Sequence, residues 1–254
     1  MLEIVTVAAL SDNYDYLVHD PDTGRTAVVD AAEAEPILDA LDYHGWTLTD
    51  IWLTHHHWDH IDGVADLVKE TGAKVLGAKA DQHRLPNLDT VVEAGDSFAF
   101  GAHTVEVMPA DGHTIGHVAF YIPDAHALFS ADSLMALGCG RLFEGTPAQM
   151  WETLQRFKAL SPETMVYSGH EYTASNAKFA LTIETGNTAL HDRARAVEAA
   201  LVEGKFTVPA PLALELATNP FLRANEDSVK AAIGMSGADD IAVFTEIRAR
   251  KDAF

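Results

Sequence analysis

Four of the chain's 13 histidines lie within the stretch LTHHHWDHIDG, which covers residues 53–63. Crowded imidazole rings repel one another once they are protonated, so a fold that gathers them must keep them neutral. The apolar run DIWLT just before them predicts a buried strand. Alternation along an extended chain then places His55 and His57 on one side and His56 on the other.

The same stretch continues with Asp59 and His60, where a helix is predicted to begin. A divalent cation of intermediate softness would stabilise neutral imidazoles, and His-x-His-x-Asp-His suits such an ion. One metal takes three or four of these groups, so the surplus predicts two metals and more ligands elsewhere. Three candidates end or follow apolar runs in the same way, namely His113, Asp132 and His170. Such strand ends are where sheets collect catalytic groups.

Short β-rich runs alternate with helical patterns over the first two-thirds of the chain. The predicted strands are EIVTVAAL, YLVHD, TAVVD, DIWLT, KVLGA, FAFGAHTVEVMPA, HVAFYIP, HALFSAD and TMVYSGH. Apolar residues at helical spacing predict helices over 33–44, 61–71 and 147–160. This alternation predicts an α/β (α+β) protein in which helices cover sheets.

The strand pattern stops after about Thr173. The segments ASNAKFALTIETG and TALHDRARAVEAALVEG each predict a helix that ends in glycine. A proline-rich loop, TVPAPLALELATNPFLR, and two more helical pieces follow. We therefore predict a catalytic domain over residues 1–173 and a smaller helical domain over residues 174–254.

Composition restricts the partners that this chain can have. The formal net charge is −21, so the surface as a whole repels nucleic acid and anionic membranes. A single cysteine excludes an internal disulfide and fits a reducing cytoplasm. The N-terminus reads as a strand, and no apolar run reaches the roughly 18 residues that span a membrane. We expect a cytoplasmic monomer with no membrane or nucleic-acid partner.

Eight segments carry a resemblance to a known family: SDNYDYLV, THHHWDH, DGHTIGH, LFSADSL, GCGRLFEGT, GHEYT, NPFLR and RARKDAF. In this order they resemble the motifs of the glyoxalase II (hydroxyacylglutathione hydrolase) family of the metallo-β-lactamase superfamily. The resemblance implies a four-layer αββα sandwich with a C-terminal helical, substrate-binding domain. It also implies hydrolysis of S-D-lactoylglutathione to glutathione and D-lactate by a hydroxide that bridges two metals. That reaction is the second step of methylglyoxal detoxification.

The resemblance also implies a role for each candidate ligand. The first metal is assigned to His55, His57 and His113, the second to Asp59, His60 and His170, and Asp132 bridges both. Asp132, Asp59 and His60 are in addition the implied catalytic residues. The implied cofactor is two divalent metal ions per chain, with zinc as the first choice, although His and Asp ligands also accept iron or manganese.

An acidic protein needs a local positive pocket to bind the carboxylates of glutathione. The terminal RARKDAF provides basic residues, although a helix C-terminus favours such residues in any case. The resemblance implies that Arg248 and Lys251 bind the glycine carboxylate of glutathione and that Tyr172 and Arg141 contact the peptide. Phe143 is the fifth implied substrate contact. The family commonly has Lys and Tyr where this chain has Arg141 and Phe143, so a substrate hydrogen bond from that tyrosine is in question here.

Rival interpretations remain open at this point. A persulfide dioxygenase would share the fold and glutathione recognition but would use one iron. A β-lactamase would give the basic terminus no role. A nuclease would conflict with the acidity of the chain, which repels nucleic acid. A structural zinc site would be closed and rich in cysteine. Cys139 is interpreted as a packed residue, His56 as a packing or supporting contact, and His117 as either a support for a ligand or an ordinary polar residue.

Overall fold

The computed structural model describes residues 1–254 and divides them into two compact units. Unit 1 consists of residues 1–110 and 115–131, and unit 2 consists of residues 111–114 and 132–254. None of the helices has the length and hydrophobicity that a membrane span requires.

Unit 1 opens with a six-stranded sheet in the order β1 to β6. The strands are β1 Glu3–Ala9, β2 Asn13–Asp20, β3 Arg25–Val29, β4 Leu48–Leu53, β5 Lys74–Ala78 and β6 Thr90–Val92. The first three pair antiparallel, and β3 to β6 pair parallel. Parallel strands end at the same edge, so the residues that follow β3 and β4 are neighbours in space.

Three helices of unit 1 are α1 Ala34–His44, α2 Trp58–Ile61 and α3 Val64–Thr71. Ile37 of α1 and Leu67 of α3 are fully buried in one cluster with Ile51 and Leu53 of β4. The predicted helix over 61–71 is wrong at its start, because the helical structure is interrupted at Gly63, between the end of α2 and the start of α3. A Cβ there would lie 2.8 Å from backbone atoms of residues 33 and 34, so this close approach requires glycine.

A second sheet in unit 1 holds the antiparallel strands β7 Ser97–Phe100, β8 His103–Pro109, β9 Val118–Ile122 and β10 Ala127–Ala131. The run FAFGAHTVEVMPA, taken as one strand, is therefore two strands joined at Gly101, whose φ is 61°. Trp52 of β4 packs its ring 5.0 Å from Phe100 and 5.7 Å from Phe120. Strand β4 is thus buried on both faces, which explains its continuous apolar sequence.

Unit 2 is largely helical. Its elements are β11 Leu134–Met135, β12 Gly138–Cys139, α4 Pro147–Lys158, β13 Met165–Ser168, α5 Thr173–Ile183, α6 Thr188–Val202, β14 Ala210–Pro211, α7 Leu212–Thr218, α8 Asp227–Ala232 and α9 Asp240–Asp252. Helix α4 starts at the predicted proline, with a capping box between Thr146 and Gln149. Helix α5 ends at Ile183, before the glycine that was expected to end it.

Helix α7 lies in the segment that was interpreted as a proline-rich loop, so that interpretation is wrong. Pro211 directly precedes the helix with φ −65°, a value that suits a helix start. Glu215 of α7 is 1% exposed and pairs with the buried Arg193 of α6. Its other oxygen accepts a hydrogen bond from the backbone of Leu137 at 2.9 Å. Tertiary pairing of a buried charge therefore holds this short helix, beyond its local sequence preference.

Candidate metal centre

Asp30, at the end of β3, forms hydrogen bonds with the segment 54–60 of unit 1, which contains His55, His56, His57 and His60 and is called the histidine loop below. Its Oδ1 accepts a hydrogen bond from the Thr54 amide at 2.8 Å, and its Oδ2 accepts one from the Thr54 hydroxyl at 2.7 Å. The Nδ1 of His60 lies 2.8 Å from the same Oδ2. Asp30 has φ 60°, an uncommon value for a non-glycine residue, and such strain concentrates at functional sites.

The hydrogen bonds around His55 fix its tautomer. The Thr54 hydroxyl has one proton, which it donates to the carboxylate of Asp30, so it must accept from Nδ1 of His55 at 3.0 Å. The lone pair of His55 therefore lies on Nε2, which is 3.1 Å from Nδ1 of His57. Two ligands of a tetrahedral zinc ion lie about 3.4 Å apart, so this spacing fits a shared metal.

The three consecutive histidines alternate as the sequence suggests, although they lie just past the end of β4. His55 and His57 meet through their ring nitrogens, whereas Nδ1 of His56 lies 3.1 Å from Asp81. His117, whose role the sequence left open, is 1% exposed and stacks its ring on that of His55 at 4.6 Å. It therefore supports the His55 ring by packing.

Asp59 and His60 lie in α2, directly after the three histidines. The side-chain amide of Asn13 donates to the backbone oxygen of Asp59 at 2.9 Å and to its Oδ2 at 3.2 Å. Nε2 of His60 is 3.9 Å from the same Oδ2. Asp30, His55 and His60 also form a fully buried group whose candidate ligand atoms lie within 4.8 Å of one another.

Asp15 is a buried carboxyl behind this loop that the sequence did not single out. Burial, and then the negative charge of Asp30, raise the pKa of Asp15 to about 8. The backbone amide of Ala32 donates to both of its oxygens at 3.2 Å. The raised pKa favours the neutral form of Asp15, and the neutral form limits the negative charge next to the histidines.

Unit 2 contributes a carboxylate between two imidazoles. Oδ2 of Asp132 lies 3.4 Å from Nε2 of His113 and 3.4 Å from Nε2 of His170. Nδ1 of His113 donates to the backbone carbonyl of Arg141 at 2.8 Å, so its Nε2 carries the lone pair. The ring of His170 stacks on Tyr172 at 4.7 Å. These distances fit a carboxylate and two imidazoles that could bind a metal together.

The segment GCGR, residues 138–141, forms a turn that packs directly against Asp132 and His113. A Cβ at Gly140 would lie 1.9 Å from the carbonyl oxygen of Asp132 and 2.9 Å from Nδ1 of His113. Only glycine can therefore occupy that position, and the turn fixes both ligands. The ring of Phe143 meets His113 edge-on at 5.3 Å and is 61% exposed, so it offers an apolar contact to a ligand above.

Basic side chains of unit 2 gather around a single carboxylate. Arg248 lies 2.9 Å from Asp252, and Arg141 lies 3.5 Å from it. Lys251 has its Nζ 3.4 Å from the Ser175 hydroxyl. Burial, and then the charge of Arg248, lower the pKa of Lys251, an effect that Asp252 opposes. This cluster therefore keeps an excess of positive charge that an anion would relieve.

Arg248 has a structural contact that the sequence did not indicate. It is 6% exposed, and its Nη1 donates to the backbone oxygen of Cys139 at 2.9 Å. Arg248 thus anchors the GCGR turn as well as contributing charge. Asp30 and Asn13 were also missed, and for Asp30 a signal existed: it ends a strand that pairs in parallel with the strand before His55.

Cys139 is expected to be inert in the folded protein. It is 6% exposed, and burial raises the pKa of its thiol to about 11, although Arg248 opposes that shift. Because the thiolate is the reactive form, iodoacetamide at pH 8 should leave the native chain unmodified and add one adduct after unfolding in guanidinium. Intact mass measures the adduct. Rapid labelling of the native protein would instead identify a reactive cysteine.

Comparison with known proteins now identifies the family. Residues 12–170 match the model of the metallo-β-lactamase superfamily, and residues 171–254 match that of the hydroxyacylglutathione hydrolase C-terminus. A hydroxyacylglutathione hydrolase of Ruegeria pomeroyi is 58% identical over 253 residues, covering 100% of this chain and 99% of the relative. The chain belongs to the hydroxyacylglutathione hydrolase family. A Jannaschia enzyme of the same name is 60% identical, covering 99% of this chain and 98% of the relative.

A solved structure of similar fold is that of TTHA1623 in a di-iron-bound form. It has a TM-score of 0.58 and 30% sequence identity, and the match covers 66% of this chain and 92% of that one. The predicted fold class and the predicted enzyme class, a hydrolase, are therefore confirmed. Family membership and the His/Asp groups together support the use of a metal cofactor.

Proposed function

We propose that this chain hydrolyses 2-hydroxyacyl thioesters of glutathione, with S-D-lactoylglutathione as the substrate and glutathione and D-lactate as the products. The observation that carries the proposal is the pair of ligand sets, one in each unit, whose imidazole and carboxylate atoms are spaced for metal binding. Full-length relatives with the name hydroxyacylglutathione hydrolase support the choice of substrate.

We propose that these ligands bind two divalent metals. One metal would be held by His55, His57 and His113, the other by Asp59, His60 and His170, and Asp132 would bridge them. Zinc is the proposed ion, and iron or manganese would also suit His and Asp ligands. The di-iron form of TTHA1623 supports a two-metal centre on this fold. When bound, such ions supply Lewis acidity, which activates water and polarises the thioester carbonyl.

The residues of the chain prepare this centre for hydrolysis. The proton on Nδ1 of His55 and of His113 is held by Thr54 and by the Arg141 carbonyl, so both rings present Nε2 in a fixed orientation. No serine or cysteine nucleophile is required, which agrees with a buried Cys139. A thiol with a pKa of about 8.5 leaves readily as thiolate, so little acid assistance is needed.

Lys251 and Arg141 are proposed to bind a carboxylate of the glutathione part, with Tyr172 and Phe143 along the peptide. Arg248 contributes charge from its buried position beside Asp252. Residues 174–254 would then form the substrate-binding domain, appended to a catalytic domain over residues 1–173. We further propose a monomeric enzyme that works in the cytoplasm.

A single-iron persulfide dioxygenase is not favoured, because relatives at 58% and 60% identity are hydroxyacylglutathione hydrolases over their full length. A substrate panel tests the proposal. One preparation should hydrolyse S-D-lactoylglutathione, leave the β-lactam nitrocefin intact and consume no oxygen with glutathione persulfide. Oxygen uptake without thioester cleavage would support the dioxygenase and contradict the proposal.

A further inference from the structure

Asp81 is a buried carboxylate of unit 1 that is not among the proposed metal ligands or substrate contacts. It ends a short 3-10 turn, Lys79–Asp81, directly after β5, and is 1% exposed. Its Oδ2 lies 3.1 Å from Nδ1 of His56, and its Oδ1 lies 2.5 Å from Nη2 of Arg84. Each carboxylate oxygen therefore has its own charged or polar partner, which fixes the orientation of the group.

The same carboxylate packs closely against a second loop, at Gly116. A Cβ built on Gly116 would lie 2.2 Å from Oδ1 and 2.3 Å from Cγ of Asp81. The next residue, His117, stacks its ring on His55 with the planes 17° apart. Asp81 thus touches His56, a sequence neighbour of His55, and also the residue before the ring that covers His55.

Asp81 is well suited to fix the distance between the loop that contains His56 and the loop that contains Gly116. A buried carboxylate is costly unless it is paired, so its position is set by its partners and cannot drift. Because His56 stands between His55 and His57, fixing its side chain fixes the backbone from which both of these imidazoles project. Close packing at Gly116 prevents the covering loop from shifting toward the turn.

We infer that Asp81 is a positioning residue for the proposed metal ligands His55 and His57. It acts through His56 on one side and through Gly116 and His117 on the other. The inference rests on the proposed function, because it concerns the geometry of ligands which that function requires. The role of Asp81 is structural, and Asp81 itself would bind neither metal nor substrate.

Metal binding tests the inference apart from catalysis. Asp81→Ala should weaken the affinity for Co²⁺ by roughly ten- to a hundredfold, measured by competition with a chromophoric chelator. It should also change the visible absorption of the Co²⁺-loaded protein, which reports ligand geometry. Asp81→Asn keeps an acceptor for His56 but loses the charge that faces Arg84, so its effect should be intermediate.

Asp20→Ala is the matched control for a simple loss of stability. Asp20 is also 1% exposed and accepts hydrogen bonds from the Thr23 hydroxyl at 2.6 Å and from the Asp22 amide at 3.0 Å. It ends strand β2, whose other end carries Asn13, so it lies roughly 23 Å along the strand from the residue that contacts Asp59. This variant should lower the melting temperature without altering Co²⁺ affinity or the spectrum.

Gly116→Ala provides a second route that leaves the carboxylate in place. Its methyl group collides with Asp81, so it should weaken Co²⁺ binding in the wild type and add little in the Asp81→Ala background. Effects that simply add would overturn the inference, as would Asp81→Ala protein with wild-type affinity and spectrum. If Asp81→Ala does not fold, Asp81→Asn and Gly116→Ala carry the test. Wild-type protein that binds no metal would refute the proposed function instead.

Discussion

Asp132→Ala is expected to lower kcat for S-D-lactoylglutathione by several orders of magnitude and to deplete the bound metal. One oxygen of Asp132 lies 3.4 Å from both His113 and His170, so its carboxylate occupies the position between the two imidazoles. Losing it removes a ligand from both proposed metals and the spacing that two-metal activation of water requires. Steady-state kinetics and elemental analysis of the same sample measure both effects.

Asp124→Ala is the control for this substitution. Asp124 also pairs with a histidine, His103, at 2.7 Å, but it is an exposed pair outside the proposed centre. Its loss should leave kinetics and metal content unchanged. Two bound metals and undiminished turnover in the Asp132 variant would remove this residue from its proposed role.

The second large effect is expected at the basic cluster. Replacing both Arg248 and Lys251 with alanine should raise KM for the glutathione thioester by roughly ten- to a thousandfold. The contact lies away from the bond that breaks, so it should stabilise substrate and transition state about equally. Because Arg248 also holds the carbonyl of Cys139, the double variant should lose stability, whereas Lys251→Ala alone should change KM with little effect on kcat.

Arg250→Ala controls for helix charge. Arg250 lies on the same helix but pairs with Glu246 at 2.8 Å and with the carbonyl of Ile233 at 3.1 Å, so its loss should leave KM unchanged. Added salt should raise KM in the wild type more than in the double variant, because screening acts only on an existing charge contact. A short thioester without the glycine carboxylate should hardly respond. Unaltered KM in the double variant would reduce the cluster to a helix-end charge effect.

The sequence predicted the elements that local patterning controls. The run DIWLT is apolar on both faces because β4 lies between helices and a second sheet. Helix α4 starts at its proline and capping residue. The candidate ligands were accessible for the same reason, since they follow apolar strands. Their assignment to particular metals came from the family resemblance and stays a proposal.

Features fixed by contacts between distant residues were missed. Helix α7 depends on the buried pairing of Glu215 with Arg193, which no local propensity reveals. The break at Gly63 reflects the close approach of the backbone at residues 33 and 34. Asp81 lies in a short turn 25 residues from His56, so only the folded chain brings the two together.

A metal titration tests most directly whether this chain is a two-metal thioester hydrolase. The wild-type protein is stripped with a chelator, and S-D-lactoylglutathione hydrolysis is then followed as zinc is added in sub-stoichiometric steps. We expect negligible activity without metal and a plateau at two equivalents per chain. A plateau at one equivalent, or full hydrolysis by the metal-free chain, would contradict this expectation.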